Sequence, residues 1–82
     1  MSSREEIIEN ILNHGKRSWN KADDCDGDTD VFYSEIVVEL RTLHDEGLFE
    51  NLREHQGSRR ASTHTGRVDI KGSINYNFRS QH

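Results

Sequence analysis

Two sets of side chains carry the chemistry available to this chain, and they are opposite in charge. The first is the acidic run Asp23, Asp24, Asp26, Asp28 and Asp30, continued by Glu35. Like charges this dense disfavour a stable helix, so residues 15–30 are expected to form a loop, or at best a short turn of helix and then a loop. The second set is Arg53, Arg59, Arg60 and Arg67, interspersed with Ser and Thr hydroxyls and flanked by Gly57 and Gly66. Guanidinium groups bind phosphate oxygens in pairs, and hydroxyls add further hydrogen bonds to them. The remaining reactive types form no catalytic set. His14, His44, His55, His64 and His82 show no paired metal-ligand spacing, and Cys25 sits among carboxylates that should raise its pKa and blunt it as a nucleophile. There is no Gly-rich phosphate loop and no grouping of nucleophile, base and oxyanion donor, so the chain is not expected to be an enzyme.

The charge is unevenly spread. Residues 1–50 carry thirteen acidic and five basic side chains, whereas residues 51–82 carry two acidic and six basic ones, so the net charge of −4 hides a strong dipole. With 82 residues and 30% hydrophobic side chains there is material for a single domain, 1–82, with a lean core. One cysteine cannot form an intramolecular disulfide, which fits a reducing, cytoplasmic setting. No apolar run reaches the length of a membrane span, and the opening residues lack the apolar stretch of a signal peptide, so no membrane association is expected.

The elements that must position these groups follow from hydrophobic spacing. Ile7, Ile8, Ile11 and Leu12 form a helical stripe over residues 4–14, with Ser3 and Glu6 as a capping box. A second helix begins near Val31 or Tyr33 with Asp30 as N-cap, and Ile36, Val37, Leu40 and Leu43 supply its buried face. Gly47 should end it in the left-handed conformation, letting Leu48 pack back on Leu43. Val68, Ile70, Ile74, Tyr76 and Phe78 all fall on even positions, the alternation of a strand with one buried face. A two-residue turn at Gly72-Ser73 would put Ile70 opposite Asn75 and mix polar with apolar on one face, so it is rejected on register. Two arrangements remain: a three-residue loop at Lys71-Gly72-Ser73, or one long strand bent at Gly72 and paired with Phe49 to about His55.

The segment Leu40-Arg-Thr-Leu43-His-Asp-Glu-Gly47-Leu48-Phe49 resembles the close of the recognition helix in winged-helix proteins, and the Glu5-Glu6-Ile7-Ile8 to His14-Gly15 stretch is similar to that family's first helix. The resemblance implies a strand from Phe49, a flexible wing from Gln56 to Gly66 and a return strand from Arg67. It also implies nucleic-acid binding. The helix offers Asp28, Asp30, Glu35 and Glu39 against only Arg41, and carboxylates beside phosphates repel. The contact is therefore assigned to the wing, through Arg53, Arg59, Arg60 and Arg67. Locally, Asp24-Cys25-Asp26-Gly27-Asp28-Thr29-Asp30 through Glu35 resembles an EF-hand calcium loop. That likeness implies Asp24, Asp26, Asp28 and Glu35 as side-chain ligands and Asp30 as the carbonyl ligand.

The resulting expectation is an α+β domain in the order helix, acidic loop, helix, then a β-hairpin with a flexible wing, in a winged-helix-like arrangement. Its expected role is non-enzymatic nucleic-acid binding, as in a small transcriptional regulator that gains useful affinity as a homodimer. One alternative is a calcium-binding protein using residues 24–35. The other is a protein-interaction module whose acidic face docks on a basic partner.

Overall fold

Helix α1, Ser3–His14, forms where its apolar stripe places it, with Ile7, Ile8 and Ile11 buried. The capping box does not form: Ser3 lies inside the first turn, and its hydroxyl donates to Glu35 at 2.8 Å. The computed structural model describes residues 3–56 and 65–81.

The acidic stretch takes the second of its two expected forms, a short helix and then a turn, and a strand that was not expected precedes it. Strand β1, Ser18–Asn20, buries Trp19, and helix α2, Lys21–Cys25, follows without a break. Capping explains why a helix survives among aspartates. Asn20 is the N-cap, its side chain accepting from the Asp23 amide at 2.7 Å, while Asp24 accepts from the Asn20 amide at 2.8 Å. Carboxylates in a first turn also meet the positive end of the helix dipole, which stabilises them. Asp24 is further matched by Lys16 at 2.7 Å.

The long helix, α3, covers residues 29–45. It starts earlier than expected, at Thr29, and its N-cap is Asp28 rather than Asp30; the Asp28 side chain accepts from the Val31 amide at 3.1 Å. Within it Phe32–Val37 is wound as a π-helix and Val38–Asp45 as an α-helix. The wider π turn accounts for which residues face inward. Phe32 and Val37, five positions apart, are both buried, and Leu40 and Leu43 then follow at α-helical spacing. Gly47 has φ +94°, and the amides of Leu48 and Gly47 bond the carbonyls of Leu43 and His44 at 3.0 and 3.1 Å. This is the expected Schellman ending, with Leu48 fully buried.

Strands β2, Phe49–Gln56, and β3, Thr65–Ile74, form an antiparallel pair, and β1 pairs antiparallel with the other side of β3, giving the order β1-β3-β2. Of the two arrangements at Gly72, the single bent strand is the one observed. Gly72 has φ +81°, and a Cβ there would lie 2.9 Å from the Glu50 Cβ and strike the Glu50 carboxylate. The alternation fails after Ile74. Asn75–Asn77 turns, with the Asn77 amide bonded to the Asn75 side chain, so Tyr76 is 66% exposed instead of in the core. Phe78 is buried as expected, but at the start of a short helix, α4, Phe78–Gln81.

The domain is thus α+β, with α1, α2 and α3 forming a layer on one face of a three-stranded antiparallel sheet. The core lies between them, where Trp19, Val68 and Ile70 of the sheet join Ile7, Ile11, Phe32, Leu40 and Leu43 in one buried cluster. Among the described residues no helix is long and apolar enough to cross a membrane.

Candidate nucleic-acid interface

The strand register sorts the hairpin's side chains by face. Residues paired across strands share a face, and neighbours along a strand alternate. Leu52↔Ile70 and Glu54↔Val68 face the helices; Glu54 there takes two hydrogen bonds from Arg41 of α3, at 2.8 and 2.7 Å. The opposite face is formed by Asn51↔Lys71, Arg53↔Asp69 and His55↔Arg67, with Ser18↔Asp69 and Asn20↔Arg67 added by β1. Two of the sequence-assigned arginines, Arg53 and Arg67, therefore lie on one outer surface at the base of the wing. Arg59 and Arg60 lie outside the described residues.

Asp69 organises this surface. It is 8% exposed although it stands on the solvent side of the sheet. Its Oδ2 lies 2.7 Å from His55 Nε2 and 3.2 Å from Arg67 Nη2, and Ser18 adds a third hydrogen bond. A carboxylate only accepts, so His55 must carry its proton on Nε2. The 3.3 Å approach of Arg67 Nη2 to that nitrogen is then a meeting of two donors drawn to one acceptor. Burial pushes the Asp69 carboxyl up, but the hydrogen bonds from Ser18 and His55 and the charge of Arg67 outweigh it and hold the pKa below its ordinary value. One residue from each of the three strands thus meets at this carboxylate, which fixes the Arg67 guanidinium near the loop end of the hairpin.

The other cations of this surface are differently placed. Arg53 and Lys71 are exposed, and neither side chain is hydrogen-bonded or ion-paired to another described residue. Arg17 donates to the Gly72 carbonyl at 3.1 Å, but its backbone is bonded to Ile70, a register shared with Trp19 and not with this face. In the helical layer the cations are largely neutralised: Arg4 by Glu46 at 2.6 Å, Lys16 by Asp24 at 2.7 Å, Arg41 by Glu54 and Arg79 by Glu9 at 3.1 Å. Exposed on α3 are Asp30, Ser34, Glu35, Val38, Arg41, Thr42 and Asp45, with Arg41 committed to Glu54. Sequence reasoning placed the positive charge in the right half of the chain but missed Lys71, which it read only as a turn candidate. The signal that finds it is its pairing with Asn51, which requires the register.

The carboxylates assigned as calcium ligands are dispersed over four local structures. Asp24 lies in α2 and is bonded to Lys16 and the Asn20 amide; Asp26 ends that helix in the left-handed region at φ +49°. Asp28 caps α3, Asp30 lies in its first turn, and Glu35 is held by Ser3 on its second. The sharp turn falls at Asp26 and Gly27, whereas an EF-hand loop places it at the position of Thr29, which here begins a helix. Among the described residues no three His, Cys, Asp or Glu side chains are grouped so as to hold a metal ion. Cys25 is buried, and desolvation, followed by the charges of Asp24, Glu35, Asp28 and Asp26, pushes its thiol pKa up. It is a packed side chain rather than a reactive one.

The chain matches no family model, no curated protein and no solved structure.

Proposed function

We propose that this protein is a winged-helix-like, non-enzymatic nucleic-acid-binding module that meets the phosphate backbone with its β2–β3 hairpin rather than with its long helix. The element order supports the winged-helix-like part: helix, short strand, two helices, then a hairpin whose second strand pairs with the first strand of the chain. The observation that carries the functional part is the separation of neutralised from unneutralised cations. The side chains of Arg53 and Lys71, without a partner among the described residues, lie on the outer sheet face with Arg67 beside them, while Arg41, the one Lys or Arg of α3, is tied to Glu54. Arg59 and Arg60, between the two strands in sequence, would extend the same positive charge. Phosphate contacts of this kind position a protein without reading sequence, so binding should be broadly sequence-tolerant, in the manner of a small regulator that gains selectivity by dimerisation.

A heteronuclear NMR titration with a DNA duplex tests this reading. Amide resonances of residues 51–56 and 65–71 should shift, and those on the exposed side of α3 should not. Shifts confined to α3 would reverse the orientation. Shifts nowhere with duplex, but on α3 with a basic peptide, would replace this reading with protein docking on the acidic face.

A further inference from the structure

Resting on the nucleic-acid reading, we infer that the contact surface extends beyond the wing along the outer face of the sheet, as a backbone track running from Arg67 through Arg53 to Lys71, and that its occupant is duplex nucleic acid. The spacing supports a track. Alternate residues of a strand lie about 6.6 Å apart, so Arg67 to Lys71 spans about 13 Å on β3. In a duplex each strand carries one phosphate per roughly 3.4 Å of axis, so that span meets about four phosphates of one strand. Arg53, one strand over and level with Asp69, widens the track in the middle.

The composition of the face selects the occupant. Proteins that hold single strands stack bases on aromatic rings, and the paired residues here, Asn51, Arg53, His55, Arg67, Asp69, Lys71, Ser18 and Asn20, include no Phe, Tyr or Trp. Cations and small polar groups without a stacking platform suit a backbone whose bases are already paired. Three carboxylates lie at or beside the track, and all are engaged; one of them, Asp23, accepts from the Asn20 side chain at 2.8 Å. Asp69 is buried under Ser18, His55 and Arg67, and Glu50, at the bulge, accepts from the Ser73 amide at 3.2 Å. The three carboxylates are thus each engaged, whereas the side chains of Arg53 and Lys71 bond no other described residue and are left to meet phosphate.

Lys71 is the discriminating residue, because it stands at the end of the strand away from the wing and is exposed, so its replacement should not disturb folding. Fluorescence anisotropy with a labelled duplex at ~50 mM salt gives the test. Lys71→Ala should flatten the slope of log affinity against log salt by about one, the signature of one lost phosphate contact. Lys71→Glu should weaken binding more, by about tenfold, Lys71→Arg should restore it, and all three should melt like the parent. Arg79→Ala, a change to a neutralised cation of the helical side, should stay within about twofold of the parent. If Lys71→Glu binds like the parent while Arg59→Ala with Arg60→Ala does not, the track is overturned and the wing reading stands. If the unaltered protein fails to bind duplex, both are overturned.

Discussion

Arg41 and Glu54 join the long helix to the hairpin through a two-point contact, guanidinium Nε and Nη2 each reaching one carboxylate oxygen at 2.8 and 2.7 Å. The pair has a functional consequence as well as a structural one. It occupies the only Lys or Arg that α3 carries, and it does so with a residue of the strand that also carries Arg53 on its other face. Arg41→Ala should therefore leave duplex affinity within about twofold. Because the Arg41 side chain is 53% exposed, the lost pair should cost only about 0–1 kcal/mol in urea unfolding. A large loss of binding would place the helix, not the hairpin, against the ligand.

The end of α3 offers a sharper stability test. Gly47→Ala forces a Cβ into the left-handed region at φ +94° and should cost about 1–2 kcal/mol. Leu43→Ala, at a fully buried position, should cost about 2–5 kcal/mol. Gly66→Ala is the control: no atom lies within 4 Å of its added Cβ and its φ is not positive, so it should be neutral or slightly stabilising. Thermal melts should rank Leu43→Ala lowest, Gly47→Ala next and Gly66→Ala at or above the parent.

What could be read from the sequence depended on the length over which a pattern runs. The stripes of α1 and α3 and the alternation from Val68 to Ile74 span several periods and were legible. So was the Gly47-Leu48 ending, because its signal is local. Strand β1 was not, since three residues give too little alternation and its partner, Val68 opposite Trp19, lies far along the chain. Helix α2 was legible only as the lesser of two readings because charge density argued against it, while the Asn20 cap and the Lys16–Asp24 pair that offset the repulsion need three-dimensional placement. The site followed the same division. The basic half of the chain was visible in composition, whereas the sorting of its cations by face, and the pairing that neutralises those of the helical layer, appear only once register and packing are fixed.

Asp69 predicts an acid-side dependence of stability. Its carboxyl pKa is depressed in the folded state, so it contributes stability that is present above the ordinary aspartate value of about 3.9 and is lost as pH falls through the depressed folded value. Glu54, depressed chiefly by its hydrogen bonds from Arg41, acts in the same sense. Asp69→Asn should lower stability at neutral pH and flatten the acid limb of a stability–pH profile. An unchanged acid limb would show that the carboxylate is not held as described. Because Asp69 orients Arg67, the variant should also weaken duplex binding modestly.

The acidic segment yields a negative expectation. With Asp24 bonded to Lys16 and the Asn20 amide, Asp28 to the Val31 amide and Glu35 to Ser3, and with no three acidic side chains grouped among the described residues, calcium has no convergent oxygen cage to enter. Millimolar calcium should leave the melting temperature unchanged, and magnesium should do the same. A rise specific to calcium, abolished by Asp26→Ala or Glu35→Gln, would mean that the segment rearranges into a site by mass action.

The salt dependence of duplex binding tests the central claim most directly. With three to four phosphate contacts made by the hairpin, log affinity should fall against log salt with a slope of about −3. Replacing Arg59 and Arg60 together by Ala should flatten that slope by close to two and weaken binding about equally for unrelated duplex sequences. Tight binding whose slope survives the double change would contradict the account, as would the absence of any binding at ~50 mM salt.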